Sequence, residues 1–232
     1  MMPIRDENPS GITPAVTYAL IAINVLVFFW QLIYGLEESV YEYGFIPYLV
    51  QVDMEGSFYR FLTSMFLHGG FAHIFGNMLY LYIFGDNVEA AFGRVGYSIF
   101  YIASGFAASI AHMMFNLGSR IPAVGASGAI SGVLGAYLVL YPNANIVTLV
   151  FYPYGFAATY KIRSVYYLGF WFIYQLIPAF LGETTGVAYW AHIGGFVLGV
   201  LVALPLRSKL RRRRRRVMPV PWYEEWRYEV YV

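Results

Sequence analysis

The chain has 232 residues, 59% of them hydrophobic, 20% aromatic and only 12% charged, with a mean hydropathy of +0.56. A soluble domain carries about 25% charged residues, so this composition excludes a water-soluble globular protein and requires a bilayer as solvent. Cysteine is absent, which excludes disulfide frameworks, thiolate catalysis and cysteine-ligated zinc or iron–sulfur centres.

A membrane-crossing helix needs about 20 residues with little or no charge, so the rare charged residues serve as a ruler. Stretches without Asp, Glu, Lys or Arg run from Asn8 to Leu36, Phe61 to Gly85, Val95 to Ser119, Ile121 to Tyr160, Ser164 to Gly182 and Thr184 to Leu206. The fourth is interrupted by Pro142, Asn143, Ala144 and Asn145, and the apolar run Ile146 to Tyr152 after it is too short to cross. It holds one span and a loop. Six spans result. The first is too long for the apolar core of a cleavable signal peptide and is read as a permanent helix. Unpaired backbone groups are not tolerated in lipid, and no pattern of short alternating strands indicates a barrel. The expected fold is therefore an all-α polytopic bundle, with residues 1–14 as N-terminal segment, 15–206 as six-span core and 207–232 as basic, aromatic tail.

Lys and Arg concentrate on the cytoplasmic side of membrane proteins. With six spans, 13 of the 15 fall on the side shared by the termini, from Arg5, Arg94, Lys161 and Arg163 to the run Arg211 to Arg216, and only Arg60 and Arg120 fall opposite. Both termini should be cytoplasmic, and the loops near residues 37–66, 118–125 and 182–188 should face outward. The arginine run directly follows a hydrophobic span, which favours an anchor at anionic lipid head groups over a nucleic-acid patch. No nucleic-acid partner is expected, and no function is assigned to the tail from Val217 to Val232.

Polar groups inside spans are costly and point to function. His68, His73 and Asn77 open the second span, Gly125-Ala126-Ser127-Gly128 opens the fourth, and Ala191-His192 lies near the start of the sixth. All three clusters fall on the outer ends of alternate spans, roughly 5 to 12 Å deep at 1.5 Å per residue, where they can converge. A serine hydroxyl becomes a nucleophile when an adjacent imidazole takes its proton; Ser127 and His192 form such a pair. No carboxylate shares their depth, since Glu183 belongs to an outer loop and Asp86 and Glu89 to the inner end of span two, so a dyad is expected, with its imidazole oriented by packing or by another hydrogen bond. His73 and Asn77, four residues apart and hence on one helix face, can supply oxyanion donors together with the Ser127 N–H. Gly125 and Gly128 permit a tight turn and close approach. Close helix packing alone would also account for Gly128, Gly132, Gly135, Gly195 and Gly199, His112 reads as an interfacial or interhelical hydrogen-bonder, and His68 is as readily a loop clamp as a site residue.

On these residues the sequence resembles the rhomboid family of intramembrane serine proteases across the whole six-span core. His68-Gly69-Gly70-Phe71-Ala72-His73-Ile74-Phe75-Gly76-Asn77 is similar to the family's second-span pattern, Gly125-Ala126-Ser127-Gly128 to its nucleophile motif, and Ala191-His192 with Gly195 and Gly199 to its sixth-span motif. The resemblance implies Ser127 as nucleophile, His192 as base and then acid, and His73, Asn77 and the Ser127 N–H as oxyanion hole. It further implies tight packing of the sixth helix on the fourth through Gly195 and Gly199, and single-span membrane proteins as substrates. It implies no cofactor and no metal, so chelators should have no effect. Oligomeric state stays open.

Two positions depart from the family's pattern. Tyr59-Arg60 stands where the first outer loop usually has Trp-Arg, and Ser131 where some members place a tyrosine that stacks on the catalytic histidine; His192 is expected to be held either by another aromatic, Tyr189 or Trp190, or by the glycine-permitted packing alone. Glu89-Ala90-Ala91-Phe92-Gly93 is similar to the family's Glu-x-x-x-Gly and reads as structural. Substrate access is expected either laterally, between spans two and five past the aromatic run Tyr166 to Phe180, or from above. A silent client-binding relative and a six-span transporter are the alternatives; the first is disfavoured by Ser127 and His192, the second by the lack of acidic midplane groups and internal repeats. The short N-terminus without an organelle signal predicts a prokaryotic cell membrane.

Overall fold

The computed structural model describes residues 1–153, 157–182 and 186–217, with side chains to Leu210. The chain enters through a short strand, β1 (Met2–Asp6), and a 20-residue helix, α1 (Ala15–Tyr34). Four short helices then build the loop before the next long helix: α2 (Leu36–Tyr43), α3 (Pro47–Val52), α4 (Met54–Ser57) and α5 (Arg60–Thr63). The long helices α6 (Phe71–Phe92) and α7 (Arg94–Phe115) follow, joined only by Gly93 at φ +72°, a left-handed turn that glycine makes without steric cost. After α8 (Ser127–Leu140), a hairpin of β2 (Asn145–Phe151) and β3 (Ala157–Arg163) leads into α9 (Ser164–Leu181) and α10 (Tyr189–Val217).

The all-α expectation therefore needs correcting: the molecule is mostly helical but carries a three-stranded antiparallel sheet in the order β1-β2-β3. Asp6 pairs with Ile146, and Asn145 with Arg163. The run expected to be a loop, Ile146 to Tyr152, contributes β2, and the N-terminal segment of residues 1–14, given no strand by the sequence, contributes β1. Both contain β-branched residues, and the segments supply one another's backbone hydrogen bonds. The sheet is tied to the helices by Asp6, whose carboxylate accepts from the Tyr137 hydroxyl at 2.6 Å and from Asn87 Nδ2 at 2.9 Å.

Four helices, Ala15–Tyr34, Arg94–Phe115, Ser164–Leu181 and Tyr189–Leu210, are long and apolar enough to cross a membrane. Their outward residues suit lipid: Ile33 is 88% and Val95 75% exposed, an arrangement water would not tolerate over so many positions. Helix α8, with 14 residues, is only about 21 Å long. It lies inside the bundle, with every residue from Gly128 to Tyr137 buried. Helix α6 is long enough, and it extends past the charge-free stretch that ends at Gly85 through Asp86 and Glu89, which the sequence places at the end of this span.

Glu89 explains that extension. Its buried carboxylate accepts from the backbone N–H of Val16 (3.1 Å) and Thr17 (2.8 Å) and from Thr17 Oγ1 (2.8 Å), satisfying the free donors at the start of α1, which has no cap of its own.

Glycines set the α8–α10 contact. A Cβ on Gly195 would lie 2.0 Å from the Gly128 carbonyl oxygen, and one on Gly199 would lie 2.0 Å from that of Gly132. Backbone meets backbone here, as in small-residue membrane interfaces.

Candidate active site

Ser127 is the first residue of α8, and its backbone N–H is one of those without an intrahelical acceptor. The preceding loop is held by the segment between α1 and α6. Ala123 exchanges backbone hydrogen bonds with Phe45 (3.0 and 2.8 Å), and Gly125 N–H donates to Ser64 O at 2.9 Å. Gly125 takes φ +126°, and a Cβ there would stand 2.7 Å from His73 Nε2. Glycine is required both for the backbone conformation and for the closeness of the His73 ring.

His192 lies one turn into α10, and its Nε2 is 2.8 Å from Ser127 Oγ. On the other edge of the ring, Nδ1 is 2.9 Å from Oε1 of Gln175, a buried residue of α9. Trp171 packs on the imidazole at 6.1 Å between centroids and 34°, and Tyr189 meets it edge-on at 6.4 Å and 83°. The support expected from Tyr189 or Trp190 is thus divided differently: Trp190 stacks on Phe115 at 3.5 Å, away from the site, and Trp171 joins Tyr189 at the ring. Ser131, in place of the expected aromatic, donates its hydroxyl to Ser127 O at 2.7 Å within α8.

A cavity of about 630 Å³ joins these groups, and His73, Asn77, Ser127, Ser131, Gln175 and His192 all line it. His73 Nδ1 accepts from Gly69 N–H at 3.2 Å, so the neutral ring carries its hydrogen on Nε2, the nitrogen next to Gly125. Asn77 Nδ2 is buried without a hydrogen-bond partner among the described residues. Two side-chain donors therefore reach the chamber that holds the Ser127 hydroxyl. No Asp or Glu lines it among the described residues.

His68 departs from expectation. It does not line the cavity; its ring stands edge-on to His73 at 5.1 Å, behind it. Gln31 of α1 clamps its backbone, accepting from the His68 N–H at 2.8 Å and donating to its carbonyl at 3.3 Å, while the ring nitrogens of His68 have no hydrogen-bond partner among the described residues, so the imidazole itself does not clamp the loop. His112 bonds within its own helix end: Asn116 Nδ2 lies 2.8 Å from His112 O and 3.3 Å from Nδ1. In the loop between α1 and α6, Arg60 donates to the carbonyls of Tyr41 (3.0 Å) and Gly44 (2.8 Å), and Tyr59 to that of Glu42 (2.9 Å). Tyr59-Arg60 therefore cross-links the loop from within. Glu183, the side chains of Arg211 to Arg216 and the tail beyond Val217 lie outside the described residues.

A Rhomboid domain model matches residues 55–209, two thirds of the chain and all three polar clusters. The chain belongs to the rhomboid family. It is 30% identical over 211 residues to Rhomboid protein 1, mitochondrial, of Saccharomyces cerevisiae, covering 86% of this chain and 55% of that protein. It is 38% identical over 128 residues to Rhomboid protease GluP of Bacillus subtilis (54% and 24%) and 28% identical over 211 residues to Rhomboid protease AarA of Providencia stuartii (82% and 72%). The rhomboid chain thus spans about half the length of the yeast relative and a quarter of GluP. These relatives are mitochondrial and bacterial alike, so kinship supports a membrane protein and favours neither compartment.

Gln175 is the site residue that sequence reasoning missed. The signal was present: it is the one side-chain amide in the aromatic run Tyr166 to Phe180, which was read only as a lipid-facing or gating surface.

Proposed function

We propose that this rhomboid is an intramembrane serine endopeptidase that hydrolyses peptide bonds in or near the transmembrane segments of other membrane proteins. The observation that carries this reading is the 2.8 Å approach of His192 Nε2 to Ser127 Oγ in a chamber that also holds the donors of His73 and Asn77. Ser127 Oγ attacks the scissile carbonyl while His192 Nε2 takes its proton; the proton then passes to the leaving amine. Water attacks the acyl-enzyme with the same histidine as base. The oxyanion of each tetrahedral intermediate is met by His73 Nε2–H, Asn77 Nδ2–H and the Ser127 N–H. A protonated His192 cannot accept the serine proton, so the rate falls on the acid side.

The proposal includes six crossings, α1 and α6 to α10, with both termini cytoplasmic. The short α8 is then enclosed by the others, so its polar N-terminus sits below the outer surface without meeting lipid. Lateral access is supported by an apolar groove of about 380 Å³ along α9, which shares Tyr80, Trp171, Tyr174 and Gln175 with the chamber. The residues up to 14 serve as an inner strand-bearing segment and those from 207 as a basic tail.

The test is cleavage of a single-span substrate in liposomes by wild type, Ser127→Ala and His192→Ala, with the cut site read by mass spectrometry. Wild type should cut in or near the span and neither variant should. Full activity in either variant sinks the dyad, and substrate binding without cleavage by wild type would favour the client binder.

A further inference from the structure

Building on the dyad proposed above, we infer that Gln175 is the positioning residue that fixes the tautomer of His192, a third member whose neutral amide oxygen takes the place of a carboxylate. A neutral imidazole carries one N–H and one lone pair. To receive the serine proton, the lone pair must be on Nε2, the nitrogen 2.8 Å from Ser127 Oγ, which requires the hydrogen on Nδ1. Nδ1 lies 2.9 Å from Gln175 Oε1, and an amide oxygen only accepts. The contact therefore selects the competent tautomer. An amide turned the other way would put N–H donors on Nδ1, move the ring hydrogen to Nε2 and silence the base.

Packing does not supply this choice. Trp171 and Tyr189 restrain the plane of the imidazole, but an aromatic face or edge does not distinguish Nδ1–H from Nε2–H. The other titratable groups around the ring are His73 and Tyr80 from α6, His112 from α7, Tyr174 from α9 and Tyr189 from α10; among the described residues no Asp, Glu, Lys or Arg lines the chamber. Gln175 is thus the acceptor at Nδ1, and the imidazolium formed when Ser127 attacks keeps that hydrogen bond with a charged donor. The placement is also costly unless used. An amide in an otherwise apolar stretch of a membrane helix must find a partner, and Gln175 finds it on α10.

The test uses the full chain in detergent with Gln175→Met, which keeps length and removes the acceptor, and Gln175→Glu, which keeps an acceptor that cannot turn round. Two rates are read across pH: turnover of a single-span substrate, and labelling of Ser127 by a fluorophosphonate, which reports serine activation without substrate binding. Thermal unfolding checks that each variant is folded. In Gln175→Met both rates should fall about tenfold or more with KM little changed, the pattern of a lost transition-state interaction. In Gln175→Glu activity should persist at high pH, and the acid limb should move up by about one unit or more, because the carboxylate stabilises the imidazolium. Protonation of the new carboxyl would move that limb in the same direction, since it would donate to Nδ1. Wild-type rates in Gln175→Met overturn the inference. So does equal impairment of both variants with an unmoved acid limb, which is what a purely structural role predicts. Labelling of wild type no faster than Ser127→Ala instead overturns the dyad, and the inference with it.

Discussion

Replacing Gly195 by Ala pushes a methyl group into the carbonyl of Gly128. The new Cβ would lie 2.0 Å from that oxygen and 3.0 Å from its carbon, whereas real Cβ atoms essentially never come within 3.0 Å of another heavy atom. Both neighbours are backbone, so no rotamer can relieve the clash, and α10 must retreat from α8 by about 1 Å. Gly195 is one turn beyond His192, and Gly128 directly follows Ser127, so the retreat falls on the dyad. The Nε2–Oγ separation of 2.8 Å then opens to about 3.8 Å, beyond hydrogen-bond range.

Misplacement by 1 Å costs about 10²-fold in turnover, and overpacking costs about 1–3 kcal/mol of stability. Gly195→Ala should therefore lose about two powers of ten in kcat and melt at a lower temperature, read by substrate cleavage and thermal unfolding in the same detergent. Gly199→Ala, one turn further from the dyad and equally tight against Gly132 O at 2.0 Å, should lose comparable stability and less activity. Gly169→Ala, with nothing within 4 Å of the new methyl, should be neutral in both. Wild-type cleavage and melting in Gly195→Ala would refute the claim that glycine-permitted contact sets the dyad distance.

Asn77→Ala should lower kcat by up to about two to three powers of ten, the range for one oxyanion donor, with little change in melting temperature because Nδ2 has no partner to lose. Glu89→Ala should destabilise by about 1.5–3 kcal/mol or more, the range for hydrogen bonds to a charged group, seen as a lower melting temperature; an unchanged one would contradict the capping of α1. At the sheet, the Lys161 ammonium 2.7 Å away holds the Glu7 carboxyl below the usual carboxylate range, with Asn145 assisting. That contribution is complete above the ordinary glutamate value and is lost as pH falls through the lowered one. Amide exchange in β1 should quicken in that acid window, and Lys161→Met should remove the pH dependence.

Where a segment's residues answered to one solvent, the sequence was legible. The charge-free gaps locate α1, α7, α9 and α10 because lipid imposes a single rule on whole helices. The helix α6 outruns its charge-free stretch, as the placement of Asp86 and Glu89 at the end of that span leads one to expect: Glu89 spends its charge on the first N–H groups of α1, a partner 72 residues away. The same rule misses the sheet, since β1 and β2 become strands only through each other, and pairing between Asp6 and Ile146 leaves no local mark. Among the polar groups, Ser127, His192, His73 and Asn77 line one chamber, the convergence expected from their places at the ends of alternate spans. Position along a span does not tell facing: His68 lies just before the same helix as His73 and turns behind it.

Without a carboxylate at hand, the imidazole of His192 is left to packing or to another hydrogen bond, and Gln175 Oε1, 2.9 Å from Nδ1, offers that hydrogen bond. In a soluble protease a buried aspartate can hold the imidazole because hydrogen bonds and nearby water offset its charge. Below the surface of a bilayer an uncompensated carboxylate costs several kcal/mol, and an amide with its hydrogen bond made costs far less. Asp86 and Glu89, the acidic residues of the long helices among the described residues, accordingly sit at the end of α6 away from the chamber. An amide selects the tautomer without bringing a permanent charge, but it gives up ionic stabilisation of the imidazolium. That loss should appear as a slower acylation step than a carboxylate triad achieves, and the Gln175→Glu variant measures the difference directly in the pH range where its carboxyl is ionised.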